Sequence, residues 1–185
     1  MSRRLIEDWL PISEIGIESL RERTPMTPFP APNRLHVWWA RRPLVASRSA
    51  ILGALLPTSI ASSEEGRKKF LHTLGIHGDP ISGAKKIDEA RRTGIRVANP
   101  YGYDRAFGYH PSADEMVWIE QNVELLGLHS PIQVFDPTAG GGSVPFEAVR
   151  CGFNAISNDI NPVAALLEIC TVDYPNRLAV CRTEN

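Results

Sequence analysis

Apolar residues recur at helical spacing over the first two thirds of the chain and at strand spacing towards its carboxyl end. A first helix is expected within residues 5–23, beginning after Pro11 with Ser13 as its N-cap. The apolar side of this helix consists of Ile12, Ile15 and Leu20. A second helix is expected after Pro43, because proline suits a first helical turn. Its apolar stripe consists of Ile51, Leu52, Leu55 and Leu56.

The segments around these helices are more polar. Four prolines in residues 24–33 predict an extended connector, because proline fixes the backbone and lacks an amide donor. Helical pieces at 64–74 and 81–92, broken by turn residues, predict a surface insertion or lid. Ser112 and Glu115 have the spacing of a capping box, so a further helix is expected to start there and to end by Gly127.

From residue 131 the pattern alternates between strand and helix. A short buried strand is expected before the glycines at 140–142, and a helix is expected between them and Gly152. A second strand and a second helix follow, and this order is typical of a doubly wound parallel sheet. We therefore predict an α/β chain with an N-terminal helical segment (1–60), a mostly helical insertion (61–130) and the first β-α-β-α of an open sheet (131–185).

Composition narrows the function only slightly. The formal net charge is -1, so a nucleic-acid partner would have to be held by local Arg and Lys clusters. Cys151, Cys170 and Cys181 lack the spacing of a zinc site and are expected to be buried thiols, with no metal bound. No apolar stretch reaches the roughly twenty residues of a membrane span, so a cytoplasmic location without membrane contact is expected.

The residues with the strongest chemical signal surround the predicted turn between the first strand and its helix. They are Asp136, Pro137, Thr138, Ala139, Gly140, Gly141, Gly142 and Ser143. Asp159 follows roughly twenty residues later, at the end of the second predicted strand, where a carboxylate can accept ribose hydroxyls. Asp136 would repel a dinucleotide pyrophosphate, whereas it tolerates the ammonium and sulfonium of S-adenosylmethionine. A P-loop is disfavoured because no Gly-Lys-Ser/Thr follows.

This turn resembles the first motif of the amino-methylating DNA methyltransferases, Asp-Pro-aromatic-x-Gly-x-Gly-Ser/Thr, except that Thr138 replaces the aromatic residue. The resemblance implies a Rossmann-like S-adenosylmethionine-dependent methyltransferase sheet. It also implies that Asp136 and the three glycines line the methionine moiety, that Asp159 holds the ribose, and that Ile160 lies near the adenine.

The segment R-L-H-V-W-W-A-R-R-P-L is similar to the N-terminal domain of adenine-specific DNA methylases, some of which accompany phage-defence or restriction-modification systems. The resemblance implies that this segment folds back onto the cofactor pocket or faces DNA. The residues concerned are His36, Trp38, Trp39, Arg41 and Arg42. Alternatively, the tryptophans are core anchors, the arginines pair with acidic neighbours, and His36 is a structural histidine.

The catalytic signature of the same enzymes, Asp/Asn/Ser-Pro-Pro-aromatic, does not occur in these 185 residues. We therefore expect the chain to be the cofactor-binding fragment of a DNA adenine methyltransferase, with DNA as the partner of the whole enzyme and no activity alone. The alternative is a noncatalytic partner subunit that completes a split methyltransferase through its exposed last strand. An RNA or protein acceptor also stays open, because the glycine motif indicates the cofactor better than the acceptor.

Overall fold

Helices account for most of the fold in the computed structural model of this protein, which describes residues 3–24 and 28–181, with side chains as far as residue 178. The helices are α1 (Ile12–Arg23), α2 (Ala31–Leu35), α3 (Leu44–Leu55), α4 (Glu64–Thr73), α5 (Pro80–Thr93), α6 (Ala113–Glu124), α7 (Ser143–Arg150), α8 (Pro162–Glu168) and α9 (Tyr174–Cys181). The strands are β1 (Gln133–Asp136) and β2 (Asn154–Ser157). A π-helical stretch, Ile169–Asp173, joins α8 to α9.

Helix α3 lies at the centre of the molecule and packs against both α1 and α7. Its predicted apolar stripe is confirmed, since Ile51, Leu52 and Leu56 are buried and Leu55 is half-buried. The core around α3 also includes Phe70 and Leu74, both fully buried, from the segment predicted as a surface insertion. Most residues of α5 lie at the surface, as predicted. Helix α4, in contrast, contributes to the core because the side of the helix that carries Phe70 packs inwards.

The predicted apolar side of α1 is wrong. Ile12 and Leu20 are exposed, and the buried side carries Ile15 together with Glu18 and Glu22. The helix also starts at Ile12 after Pro11, so Ser13 is not its N-cap. Carboxylates are tolerated on the buried side of α1 because each of them accepts hydrogen bonds there. These hydrogen bonds offset the hydration that the carboxylates lose on burial.

The proline-rich connector is not extended throughout. Residues 25–27 lie outside the described residues, and 31–35 form helix α2, preceded by Pro30. Pro32 fits in the first turn of α2 because an amide donor is not needed there. The capping box of α6 is confirmed, since Glu115 N donates to Ser112 Oγ (3.3 Å) and Ser112 N donates to Glu115 Oε2 (2.9 Å).

Strands β1 and β2 are parallel, as predicted, with Val134 opposite Ala155 and Phe135 opposite Ile156. Helix α7 packs against both strands. The prediction of a buried first strand is wrong, because Phe135 is 62 % exposed and Ile156 is 47 % exposed on the same face of the sheet. The described residues thus form a helix-rich α/β structure with a two-stranded parallel sheet covered on one face.

Two predictions from composition concern the burial of the cysteines and the absence of a membrane span. Cys151 is buried and Cys170 is half-buried, both as free thiols, whereas the side chain of Cys181 lies outside the described part. Among the described residues, no helix is long and apolar enough to cross a membrane.

Candidate functional site

The glycine-rich turn lies at the carboxyl ends of both strands, between β1 and α7. Its amides bond to the loop that follows β2: Ala139 N donates to Asn158 O (3.1 Å), and Gly140 N donates to Asp159 Oδ2 (2.8 Å). In return, Asn158 N donates to Asp136 O (3.0 Å). Asp136 and Asp159, more than twenty positions apart in sequence, are therefore held on two adjoining loops.

The indole of Trp38 packs directly on this turn. A Cβ atom added at Gly140 would lie 2.8 Å from Trp38 Nε1, and one added at Gly141 would lie 2.8 Å from Trp38 Cβ. Trp38 is buried and also packs with Ala164 and Leu167 of α8. The sequence predicts that these glycines admit a ligand, and the structure adds a role that the motif alone did not reveal, since they make room for Trp38.

A cleft of about 520 Å³, which we call the glycine cleft, opens between this turn and the segment around Trp38. Its lining residues are Trp38, Ala40, Arg41, Arg42, Phe135, Asp136, Thr138, Ala139, Gly140, Gly141, Ser143, Val144 and Asp159. Its volume is that of an ordinary small-molecule site. The fold thus brings most of the predicted cofactor residues together with three of the predicted N-terminal residues.

The remaining predicted residues lie outside the lining of the glycine cleft. His36 is exposed and makes an edge contact with Trp38, at 6.4 Å between ring centroids. Trp39 faces away on the other side of Trp38, and Ile160 is completely exposed. Pro137 and Gly142 shape the turn, with Gly142 at φ 72° preceding α7.

Both carboxylates of the cleft retain acceptor capacity. Asp159 accepts from Gly140 N through Oδ2 and from Asn161 N through Oδ1, each at 2.8 Å. Asp136 Oδ1 accepts from Thr138 N at 3.1 Å. Because each carboxylate oxygen has two lone pairs, both side chains can accept further donors. The N-cap of α8 is Asn161, which accepts from Val163 N (2.9 Å), so Asp159 is not needed for that role.

A third carboxylate, Glu168, lies beneath the turn and was not foreseen from the sequence. Its side chain is buried, with Cγ 3.3 Å from the position of a Cβ at Gly142. Burial raises the pKa of Glu168, and the charges of Asp159 and Asp136 raise it further, whereas a hydrogen bond with Ser157 lowers it. Asp136 and Asp159 favour a cation on the turn side of the cleft, whereas the exposed Arg42 favours an anion on the opposite side. Among the described residues no His, Cys, Asp and Glu are grouped to hold a metal ion.

Glu22 of α1 fixes the segment that carries Trp38. Its carboxylate accepts from Leu44 N (2.8 Å) at the start of α3 and from Arg41 Nη1 (2.7 Å). Burial raises the pKa of Glu22, although these partners oppose the shift. Arg42 O accepts from Ser143 Oγ (2.8 Å), which ties the same segment to α7. Arg41 is thus a paired, mostly buried cation, as the structural alternative predicted, whereas Arg42 is exposed.

Comparison with known proteins identifies one related region. A family model described as "Protein of unknown function (DUF1156)" matches residues 9–73. The matched region extends from the residues before α1 to the end of α4 and includes Trp38 but not the glycine-rich turn. No curated protein and no solved structure matches this chain.

Proposed function

We propose that this protein binds S-adenosylmethionine in the glycine cleft and acts as the cofactor-binding part of a DNA adenine methyltransferase. The observation that carries the proposal is the convergence of Asp136 and Asp159 on one cleft at the carboxyl ends of two parallel strands. Ligands of open α/β sheets bind at this end of the strands. The cofactor is cationic at its sulfonium and ammonium groups, and Asp136 and Asp159 on the turn side of the cleft suit a cation better than a pyrophosphate.

The proposed roles of Asp136 and Asp159 follow from the carboxylate lone pairs that accept no hydrogen bond within the protein. Asp136 keeps Oδ2 for the ammonium group of the methionine moiety, and Asp159 keeps one lone pair on each oxygen for the ribose hydroxyls. Trp38 closes one wall of the cleft with an apolar surface. The bound cofactor would supply a methyl group on sulfonium, so that a C–S bond breaks as a C–N bond forms and the acceptor amine loses a proton.

Acceptor chemistry is expected from residues other than these 185. A Pro-Pro-aromatic tetrapeptide, which would accept hydrogen bonds from the target amine, is absent from the sequence. Positioning of the amine in line with the methyl group accounts for much of the rate in such a transfer. The chain alone is therefore expected to bind the cofactor without methylating DNA, and methylation by the isolated chain would contradict the proposal.

Isothermal titration calorimetry with S-adenosylmethionine tests the cofactor assignment. Asp136→Asn is the sharpest variant, because the amide keeps an oxygen for Thr138 N while the negative charge is lost. We expect affinity to fall about tenfold or more, since a charged hydrogen bond contributes about 1.5–3 kcal/mol. Asp88→Asn on exposed α5 is the matched control and leaves affinity unchanged. NAD binding to the same folded protein, or no heat with S-adenosylmethionine, would refute the assignment.

A second candidate, a partner subunit of a split methyltransferase, is favoured by the open face of the sheet. Phe135 and Ile156 lie side by side on that face, and parallel sheets are ordinarily covered on both faces. Such a subunit would bind a chain that carries the Pro-Pro-aromatic motif. Restoration of methylation by mixing the two purified chains, and its loss in Ile156→Asp, which lies on the open face but outside the glycine cleft, would support this candidate.

A further inference from the structure

A second groove adjoins the glycine cleft on the other side of Trp38. This groove, of about 770 Å³, is lined by Glu22, Arg23, Thr24, Phe29, Asn33, Val37, Trp38, Trp39, Ala40, Arg41, Arg42 and Pro43. We call it the tryptophan groove. It shares Trp38, Ala40, Arg41 and Arg42 with the glycine cleft, so a ligand in one would be separated from a ligand in the other by a single wall.

Trp39 is the unusual residue of this groove. Its indole stacks on that of Trp38, with 4.3 Å between ring centroids and 20° between ring planes. Whereas Trp38 is buried, Trp39 is 78 % exposed. The large, exposed ring contributes little to the core, although the same segment buries its neighbour. Trp38 covers one face of Trp39, and the other face is open to a planar ligand.

The charged residues of the groove are unevenly distributed. Arg23 and Arg42 are exposed, and within the described residues neither guanidinium has an ion-pair or hydrogen-bond partner. Glu22 is the single carboxylate among the described lining residues, and it is fully buried and paired with Arg41. The groove is therefore locally cationic, although the chain as a whole carries a net charge of -1.

The residues around the groove also include an unsatisfied acceptor. Asn33 Oδ1, in the wall of the groove, is buried and has no hydrogen-bond partner among the described residues. Buried polar atoms are ordinarily paired, because an unpaired one loses its hydration without compensation. A ligand with a planar ring and an anionic group would match the open face of Trp39 and the two exposed arginines.

We propose that the tryptophan groove binds an unpaired nucleotide of a nucleic-acid strand, with the base stacked on Trp39 and the backbone phosphate on Arg42 and Arg23. Base stacking on an aromatic side chain contributes about 1–3 kcal/mol, and arginine pairs readily with phosphate. The inference deepens the proposed function and rests on it for the reaction that a strand held there would undergo. Binding of the strand itself needs no cofactor.

Fluorescence anisotropy with labelled single strands of roughly ten nucleotides, measured without S-adenosylmethionine, tests this groove. Trp39→Ala is expected to weaken binding about 5- to 150-fold, and Trp39→Phe to keep most of it. Arg42→Gln is expected to lower the slope of log affinity against log salt by about 1. Tyr174→Ala is the matched control, because Tyr174 is a half-exposed aromatic residue outside the groove, and it should bind like the wild type.

The outcomes separate this inference from the cofactor assignment. Three results would overturn nucleotide binding in the tryptophan groove. They are equal binding by the wild type and Trp39→Ala, a preference for duplex over single strands, and no binding at low salt. If oligonucleotide binding depends on Trp39 but S-adenosylmethionine does not bind, the cofactor assignment is refuted and nucleotide binding in the tryptophan groove is supported. The same titration with DNA and RNA single strands of one sequence shows which of the two nucleic acids the groove prefers.

Discussion

At the scale of single residues, buried charges connect parts of the chain that are distant in sequence. Arg48 of α3 is fully buried and donates through Nε to Glu147 Oε2 (2.6 Å) on α7. Its Nη2 donates to Tyr109 O (2.8 Å) and its Nη1 to Leu74 O (3.3 Å). Removal of one partner from such a pair leaves an uncompensated buried charge. Arg48 therefore specifies how α3, α4 and α7 fit together.

The buried carboxylate of Glu168 predicts a pH-dependent stability. Its pKa is raised in the folded state, so the folded state binds more protons than the unfolded state above about pH 4.5. The free energy of unfolding should fall as pH rises from this value through the folded pKa. Glu168→Gln removes the titrating group, so its stability relative to the wild type should increase with pH, as measured by urea denaturation between about pH 4 and pH 8.

Glu120→Gln, on the exposed side of α6, is the control for this series. Its stability relative to the wild type should not change with pH. A difference between Glu168→Gln and the wild type that is constant with pH would show that Glu168 contributes only packing or hydrogen bonding.

At the scale of elements, the glycine-rich turn is defined as much by Trp38 as by any ligand. Its glycines pack against the indole, and its amides bond to the loop after β2. The buried side of α1 follows the same logic. Glu22 lies there because the first amides of α3 need acceptors, which a side chain from another helix supplies. Local periodicity therefore describes these elements incompletely.

Gly141→Ala tests the packing of Trp38 on the turn. The new Cβ would lie 2.8 Å from Trp38 Cβ, so the indole or the turn must shift. Overpacking of this kind costs about 1–3 kcal/mol, which chemical denaturation with tryptophan fluorescence can measure. We also expect S-adenosylmethionine binding to weaken, because Trp38 forms a wall of the glycine cleft.

Gly16→Ala is the matched control for this substitution. Gly16 lies inside α1, and a Cβ there would meet nothing within 4 Å. Alanine should therefore stabilise the protein by about 0.4–1 kcal/mol. If Gly141→Ala were equally stabilising, the close packing of Trp38 on the turn would be disproved.

At the scale of the whole molecule, the three predicted segments share one core, whereas one face of the sheet is exposed. Leu5, Phe70, Ile119 and Cys151 belong to one buried cluster, so all three predicted segments contribute to it. The division at residues 60 and 130 stays a prediction. The sheet is different, because α7 covers one face and leaves Phe135 and Ile156 on the other. A further layer would bury this face, as in other parallel sheets.

The open face predicts self-association of the isolated chain. The double variant Phe135→Ser with Ile156→Thr should weaken it at least about tenfold, since burial of a large apolar side chain contributes about 1.5–3 kcal/mol. Sedimentation velocity over a range of concentrations measures the effect. Leu20→Ser, at an exposed apolar position on α1, is the control and should associate like the wild type. A wild-type chain that is monomeric throughout would contradict the prediction.

The sequence by itself determined the local features: the span of α3, the capping box of α6, and two parallel strands with a glycine-rich turn between β1 and α7. Each depends on residues within a few positions of one another, through periodicity, capping or backbone freedom. Tertiary structure alone decided that Trp38 fills the glycine-rich turn and that Trp39 remains exposed. It also decided that Glu22 caps α3 and that Ser143 holds Arg42 from 101 positions away. Such contacts depend on which surfaces meet after folding, and no local pattern encodes them.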